Sequence, residues 1–270
     1  RRADKTVREL VKESTEKTRV YTLGQLIHNT LHTEELKNLG VTTISFDDVE
    51  KVFLSDPETP MTVVIRTHGI PKQQFEFLQE LAKSNTNFTV VDATCPFVKK
   101  IHNIAVENTN DETCFLLFAD KDHPETIGTI SYAKGDKLVF NTLDELKAYD
   151  FGNKLPILCA QTTQNLVEFK KIKKFLKKLC TNAKIFDTIC SVTENRQNEA
   201  TKIAEKSDLM IVIGGHESSN TRKLFDLCSN VCPTFWIESV ADLQTDFPDN
   251  AKCVGITAGA STPDGIITEV

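Results

Sequence analysis

Positive charge is in deficit in this chain: 32 lysines and arginines stand against 38 aspartates and glutamates, for a net charge of -6. That balance excludes the broad cationic field by which a protein holds nucleic acid or an anionic bilayer, so no nucleic-acid or membrane partner is expected. No uninterrupted apolar run approaches the ~20 residues that span a bilayer. The opening Arg1-Arg2-Ala3-Asp4 does not read as a secretory signal, and a cytoplasmic location is expected. There is no Cys-x-x-Cys among the 8 cysteines, and their spacing argues against the stapled framework of a small secreted fold. A Gly-x-Gly-x-x-Gly fingerprint is missing too, so the chain carries no such signal for a resident flavin or nicotinamide.

What is present is an alternation of short apolar or β-branched runs with amphipathic stretches, the pattern of parallel α/β units. Strands are predicted at Val20–Thr22, Thr62–Arg66, Thr89–Val91, Phe115–Phe118, Lys137–Val139, Pro156–Cys159, Lys184–Phe186, Leu209–Ile213, Thr234–Trp236 and Cys253–Thr257. Helices are predicted over Pro71–Ser84, Cys95–Asn108, Leu166–Leu179, Val192–Lys206 and Ser219–Cys228. These are too many strands for one small sheet. A faint repeat divides them: Phe88-Thr-Val-Val-Asp92-Ala-Thr-Cys95 and Lys184-Ile-Phe-Asp187-Thr-Ile-Cys190 both read strand, Asp-x-x-Cys, helix, with the cysteines 95 residues apart.

Thiols at the C-terminal end of a strand and the start of a helix meet unpaired N–H groups and a positive dipole end. They are thereby suited to bind metal. Cys95 and Cys190 are the metal candidates, the bland reading being two cysteines that cap helices by accident. Cys114, Cys159 and Cys253 lie in apolar runs and read as small hydrophobes, and Cys228 and Cys232 lack two further ligands nearby.

Polar loops close the other strands: Leu26-Ile-His28-Asn29, Arg66-Thr-His68-Gly69, Asp122-His123-Pro-Glu125-Thr126, Gln161-Thr162-Thr163, His216-Glu-Ser218-Ser219-Asn220-Thr221 and Ala258-Gly-Ala-Ser261-Thr262-Pro-Asp264. Taken singly each is weak, since a lone histidine at a strand end is more often a satisfied structural group; collected at the functional edges of adjoining units, they would instead make one polar cavity. Gly214-Gly215 followed by Ser218, Ser219 and Asn220 at a helix start forms an anion cradle, where the bland reading is an ordinary N-cap. With Ser261 in a second Gly-rich loop and several histidines, the inventory suits a diphosphate better than a carboxylate. Glu125, placed among uncharged donors, suits a proton source; its bland reading is a loop acid facing water.

In order and spacing, Asp92-Ala-Thr-Cys95-Pro96, His123-Pro-Glu125, Gln161-Thr162-Thr163, Cys190 with Asn195-Arg196-Gln197, Ser218-Ser219-Asn220-Thr221 and Ala258-Gly-Ala-Ser261-Thr-Pro-Asp264 resemble the motifs of the LytB/IspH reductases. The resemblance implies a trefoil of three pseudo-symmetric small α/β domains around a central 4Fe-4S cluster, each contributing one cysteine. Boundaries at 1–94, 95–189 and 190–270 follow, the last domain being completed by a segment upstream of Arg1. The third cysteine is expected there, and the C-terminal helix is expected to continue past Val270.

The implied activity is reduction of (E)-4-hydroxy-3-methylbut-2-enyl diphosphate to isopentenyl and dimethylallyl diphosphates, the last step of the methylerythritol phosphate route to isoprenoids. An iron without a protein ligand would bind the substrate oxygen. Glu125 is the implied proton donor, with Thr162 positioning it. His28, His68, His123, Thr193, Asn195, Ser218, Ser219, Asn220 and Ser261 are the implied substrate contacts, with imidazoles held partly protonated by the diphosphate.

Ferredoxin or flavodoxin is the implied electron donor. The lysines of Leu166–Leu179, opposite Phe169, Ile172, Leu176 and Leu179, form a face that would steer an acidic carrier or, more blandly, a solvated outer helix. Two other classes fit parts of the chain. One is a cysteine-nucleophile hydrolase using Cys95 or Cys190 with His68 or His123 as base, and the other is a metal-free phosphoryl-ligand-binding α/β protein.

Overall fold

The computed structural model describes residues 2–13, 18–27, 29–243 and 251–270. Helices and strands alternate through it in three successive groups, each built on its own sheet. The first group comprises α1 (Arg2–Glu13), β1 (Arg19–Leu23), α2 (Thr30–Asn38), β2 (Val41–Ile44), α3 (Phe46–Leu54), β3 (Met61–Ile65), α4 (Lys72–Ser84) and β4 (Phe88–Asp92). Its four strands are parallel, in the order β2-β1-β3-β4. All five residues of β3 are buried because helices cover both faces of the sheet. Val63 and Ile65 join Phe53, Leu78 and Phe88 on one side, while Val64 joins Val7, Val20 and Leu36 on the other. That split follows the two-residue period of a strand. Truncating Leu78, fully buried on α4, to alanine is worth about 2–5 kcal/mol.

The second group runs α5 (Pro96–Asn108), β5 (Thr113–Phe118), α6 (Pro124–Ile130), β6 (Asp136–Phe140), α7 (Leu143–Lys147), β7 (Leu155–Ala160), α8 (Leu166–Leu179) and β8 (Lys184–Ile185). Its sheet order is β6-β5-β7-β8. The third runs α9 (Ser191–Ala204), β9 (Leu209–Ile213), α10 (Ser219–Ser229), β10 (Thr234–Ile237), β11 (Val254–Ala258) and α11 (Asp264–Glu269), with parallel strands in the order β10-β9-β11.

The strand permutation repeats in all three sheets. The first strand is inner, the second lies to one side of it and the third to the other. Each sheet therefore has a topological switch point between its first and third strands, where loops at the strands' C-terminal ends part and leave a crevice for ligands. The chain is thus α/β, as the alternation predicts, with three small sheets, as the resemblance implies. The repeated strand, Asp-x-x-Cys, helix segment is present twice, as β4 to α5 and β8 to α9.

Two compact units divide the chain. One comprises Arg1–Ile27, Leu31–Cys159 and Asn182–Phe186; the other comprises His28–Thr30, Ala160–Thr181 and Asp187–Val270. Among the described residues no helix is long and apolar enough to cross a membrane.

Candidate functional site

In the first unit, the loop after β3 is held by its backbone. Thr67 donates its N–H and its hydroxyl to the Leu26 carbonyl, at 3.3 and 2.9 Å, tying it to the loop after β1 across the switch point. The Cys95 N–H donates to the Thr67 carbonyl at 2.9 Å. His68 follows on a turn that closes with Gly69 at φ +74°, a conformation favouring glycine. A Cβ at Gly69 would lie 2.9 Å from the His102 ring. His102, on α5, is stacked on Tyr132 with centroids 4.1 Å and planes 14° apart. Burial drives the His102 pKa down to about 4 and pushes that of Tyr132 up to about 12, so both are neutral near pH 7. Arg66 donates from Nε to the Gly69 carbonyl at 3.4 Å, and its burial lowers its pKa.

Cys95 stands at the N-cap of α5 with Pro96 beginning the helix. Three residues earlier, Asp92 accepts the Thr94 N–H at 2.9 Å and pairs with Lys99 at 2.6 Å. Burial would raise the Asp92 pKa, but these hydrogen bonds and the lysine charge hold it below the usual range. In the second copy of the repeat, Asp187 instead pairs with Lys173.

His123 and Glu125 follow β5. His123 caps α6: its Nδ1 accepts the Glu125 N–H at 3.1 Å, which leaves the ring proton on Nε2. His68 and His123 meet edge to face at 5.1 Å. Glu125 lies in the first turn of α6 and is 2% exposed, not on a solvated loop. Gly128 of the same helix packs over the Ile70 backbone, which a Cβ there would touch at an ordinary 3.4 Å, and Lys72 N–H donates to Ser131 Oγ at 2.8 Å. These contacts dock α6 on the turn carrying His68.

In the second unit the Cys190 N–H donates to the Thr162 carbonyl at 3.1 Å. Thr67 and Thr162 are themselves 95 residues apart, so the internal repeat extends to the hydrogen bond that seats each cysteine. The Cys190 Sγ accepts the Thr193 N–H at 3.3 Å and lies 3.1 Å from the Thr193 hydroxyl, a contact in which either group can donate. Thr188 anchors the approach to Cys190, donating to the Ala160 carbonyl at 2.7 Å and accepting the Ala160 N–H at 2.8 Å. Gln197 locks α9 to the turn before α8, donating to the Gln164 carbonyl at 2.9 Å and accepting the Leu166 N–H at 3.0 Å.

The loops after β9 and β11 meet at the third switch point. Gly259 N–H and Thr262 Oγ1 both donate to the Ile213 carbonyl, at 2.8 and 2.9 Å. Gly214, at φ +149°, and Gly259 leave room for Thr221, whose Oγ1 would stand 2.6 and 2.2 Å from a Cβ at each. Ser218 caps α10 by accepting the Thr221 N–H at 3.3 Å, as the bland reading had it. Ser219 is tied to the loop after β7, its Oγ lying 3.1 Å from Thr163 Oγ1 and 3.4 Å from Gln161 Nε2.

Asn220 differs from the two serines before it. It is 5% exposed, yet neither end of its carboxamide has a hydrogen-bond partner among the described residues, and the same holds for Ser261 Oγ. Burial without a partner costs about 1–3 kcal/mol per group, so such atoms mark a place for something polar.

All eight cysteines are thiols. Burial raises the pKa of Cys114, Cys232, Cys228 (to about 11) and Cys159 (to about 12), which disfavours their thiolates. Cys95 and Cys190 are both partly exposed helix caps and keep the better ligand position. Among the described residues no group of three or more His, Cys, Asp or Glu side chains is arranged to hold a metal ion.

Of the substrate contacts expected from sequence, His28 lies outside the described residues. Asn195 is exposed on α9, and its side chain makes no hydrogen bond among the described residues. Sequence reasoning gave no role to His102, Arg66 or Gln197. Arg66 and Gln197 do sit inside quoted motifs, which was the available signal.

A family model described as LytB protein matches residues 1–270. The 4-hydroxy-3-methylbut-2-enyl diphosphate reductase of Aquifex aeolicus is 39% identical over 274 residues, covering 100% of this chain and 89% of that protein. The protein of the same name from Campylobacter hominis is 39% identical over 251 residues, covering 92% of this chain and 86% of its own. Among solved structures, the E-1-hydroxy-2-methyl-but-2-enyl-4-diphosphate reductase from Plasmodium falciparum superposes with a TM-score of 0.86 at 28% identity, covering 99% of this chain and 81% of that one. A second, the (E)-4-hydroxy-3-methyl-but-2-enyl diphosphate reductase described as the terminal enzyme of the non-mevalonate pathway, gives 0.65 at 37% identity, with coverage of 100% and 92%. With its whole length matched by the family model and with relatives of that identity covered almost end to end, the chain belongs to the LytB family.

Proposed function

We propose that this chain carries out the reaction its relatives are named for, reducing (E)-4-hydroxy-3-methylbut-2-enyl diphosphate with two electrons and two protons to isopentenyl and dimethylallyl diphosphates and water. The observation that carries the reading is the Asn220 carboxamide, buried at the start of α10 and without a hydrogen-bond partner among the described residues, as is Ser261 Oγ in the loop after β11. A diphosphate seated there supplies acceptors for the Asn220 N–H groups, the Ser261 hydroxyl and the unpaired helix N–H donors. Ser218 and Ser219 shape this cradle, and His28, His68 and His123 are proposed as further substrate contacts, the last two meeting edge to face. Thr193 and Asn195 belong to the same proposal.

Cys95 and Cys190 are proposed as two thiolate ligands of a 4Fe-4S cluster, with the third expected upstream of Arg1. Their fit rests on their partly exposed, helix-capping positions and on the Thr193 N–H donated to Cys190 Sγ, which holds that side chain in place. When bound, such a cluster supplies the electrons and a Lewis-acidic iron. Glu125 holds the proton delivered to substrate: burial on α6 keeps bulk water from competing, and Thr162 orients the substrate hydroxyl. Electrons are proposed to come from a ferredoxin or flavodoxin, in the cytoplasm. Domain boundaries at 1–94, 95–189 and 190–270 complete the assignment.

Iron and sulfide counting on anaerobically purified protein extended upstream of Arg1, followed by dithionite-driven turnover of the diphosphate, tests the reading. A brown protein that forms both products is expected, and Cys190→Ser should lower both iron content and turnover. Colourless, iron-free protein would end it.

A further inference from the structure

We infer that the outward stripe of α8 is the docking surface for an acidic electron-carrier protein, an inference that rests on the reductase reading and adds the place where its electrons enter. Six of the fourteen residues of α8 are lysine, in a chain whose net charge is -6. Phe169, Ile172 and Leu176 are buried beneath the helix and fix its orientation. The outward side then carries Lys170, Lys174, Lys177 and Lys178, spaced i, i+4, i+7 and i+8 so that all four share one face. All four are exposed, and none makes an ion pair among the described residues.

Like charges three and four apart on a helix repel one another, so this stripe weakens the free helix. The helix dipole accounts for Lys177 and Lys178 in the last turn, but not for Lys170 and Lys174 in the middle. Lys171 is satisfied by Glu168 at 2.6 Å. An anionic partner relieves the remaining stripe. Val167, 53% exposed, extends the same face toward the helix start and offers the small apolar contact that a transient interface uses.

Position selects a redox partner over other anions. The remaining lysine, Lys173, turns to the inner edge of the helix, over the Phe169 ring at 5.3 Å, and pairs with Asp187. Asp187 lies three residues before Cys190, a reach of at most about 11 Å of extended chain. The cationic helix is thus fastened to the very segment that ends at a proposed cluster ligand, and a carrier seated on it is brought close to that ligand. An acidic carrier also gains from steering, whereas the acidic balance of the whole chain opposes nucleic acid and anionic bilayers.

The test uses the full-length, cluster-loaded enzyme and the variant Lys170→Glu/Lys174→Glu/Lys178→Glu, with Lys170→Gln/Lys174→Gln/Lys178→Gln as a milder companion. Turnover is driven either by a reduced acidic ferredoxin or by dithionite. At low salt the reversed variant should lose about tenfold or more in kcat/KM for ferredoxin, through KM, and lose its salt dependence, with the neutral variant intermediate. Dithionite-driven turnover should be unchanged in all three proteins. Ferredoxin kinetics unaltered by charge reversal at low salt would overturn the docking surface alone and leave a solvated outer helix. The same overturning result is wild-type binding to vesicles of anionic lipid that the variant loses while its ferredoxin kinetics stay intact. Wild-type enzyme inert to dithionite would overturn the reductase reading and this inference with it.

Discussion

The Nδ1 atom of His123 accepts the backbone N–H of Glu125 at 3.1 Å, and this bond decides which nitrogen of the ring is left to face a ligand. One side of the imidazole is committed to starting α6, and the other carries the proton. The residue therefore has two separable duties. His123→Ala loses both, and its unfolding free energy in urea should fall by about 1 kcal/mol, the usual worth of an N-cap. His123→Asn keeps an acceptor for the Glu125 N–H and should retain most of that stability. Both variants should bind the diphosphate substrate more weakly. Equal stability losses in the two would show that the cap contributes nothing.

Glu125 is buried at 2% exposure in the turn that His123 starts, so its side chain is placed by the helix and not by a loop. Replacement by glutamine keeps shape and packing while removing the acidic proton. Glu125→Gln should retain fold, iron content and substrate affinity, with kcat down by about 10²–10⁴-fold, the usual contribution of a positioned acid. Single-turnover measurements read the chemical step directly. Turnover unchanged in this variant would remove Glu125 from the mechanism.

The helix carrying Glu125 illustrates what the sequence leaves unread. Pro124 and Gly128 look like breakers, yet Pro124 occupies the first helical position, where its missing N–H costs nothing, and Gly128 packs over the Ile70 backbone, where a Cβ would make an ordinary contact. Only that packing is tertiary, and no local pattern announces it. The inner strands were legible because burial on both faces demands continuous apolar runs: Leu209–Ile213 matches to the residue. Thr62–Arg66 came out shifted by one, to Met61–Ile65, since Arg66 turns out of the ladder to reach the Gly69 carbonyl. Edge strand β2 escaped notice: it is four residues long with Thr42 and Thr43 exposed, and a run that short carries little periodicity. In the site, motif order located the loops, but pairing did not follow from it. Nothing local says that His102 stacks on Tyr132, thirty residues on, or that Asn220 is the polar group left unsatisfied.

Gly69 closes the turn that presents His68, and two independent effects exclude a side chain there. Its φ of +74° disfavours any L-residue by about 1–2 kcal/mol. In addition, a Cβ would meet the His102 ring at 2.9 Å and Thr94 Cγ2 at 3.3 Å. Gly69→Ala should therefore cost at least ~2 kcal/mol in urea unfolding. Combining it with His102→Ala relieves the ring overlap but not the backbone term, so the double variant should lose less stability than the two single losses added together. Strict additivity would mean that the ring and the turn do not press on each other.

His102 gives the fold a pH dependence whose sign is set by burial. Desolvation is the largest influence on the ring, lowering its pKa from 6.5 to about 4; the Asp92 charge pulls the other way and Lys99 reinforces the lowering. In the unfolded chain the ring titrates near 6.5, so between these two values the unfolded state binds a proton that the folded state refuses. The neutral ring's contribution is fully present above about pH 6.5 and is lost as pH falls toward 4. Its size is of the order of 3 kcal/mol, at 1.36 kcal/mol per pKa unit. Asp92, also held below its usual range, weakens the fold in the same direction at still lower pH, so total stability alone does not isolate the histidine. Comparison with His102→Gln does, because the variant keeps Asp92 and Lys99 and removes only the titrating ring, along with its stack on Tyr132. Urea midpoints at steps from pH 7.5 to 4.5 should show the wild-type advantage shrinking steadily on acidification. An advantage that stays constant across that range would mean that the ring is protonated as readily in the folded protein as in water, and that the burial argument for its neutral form fails.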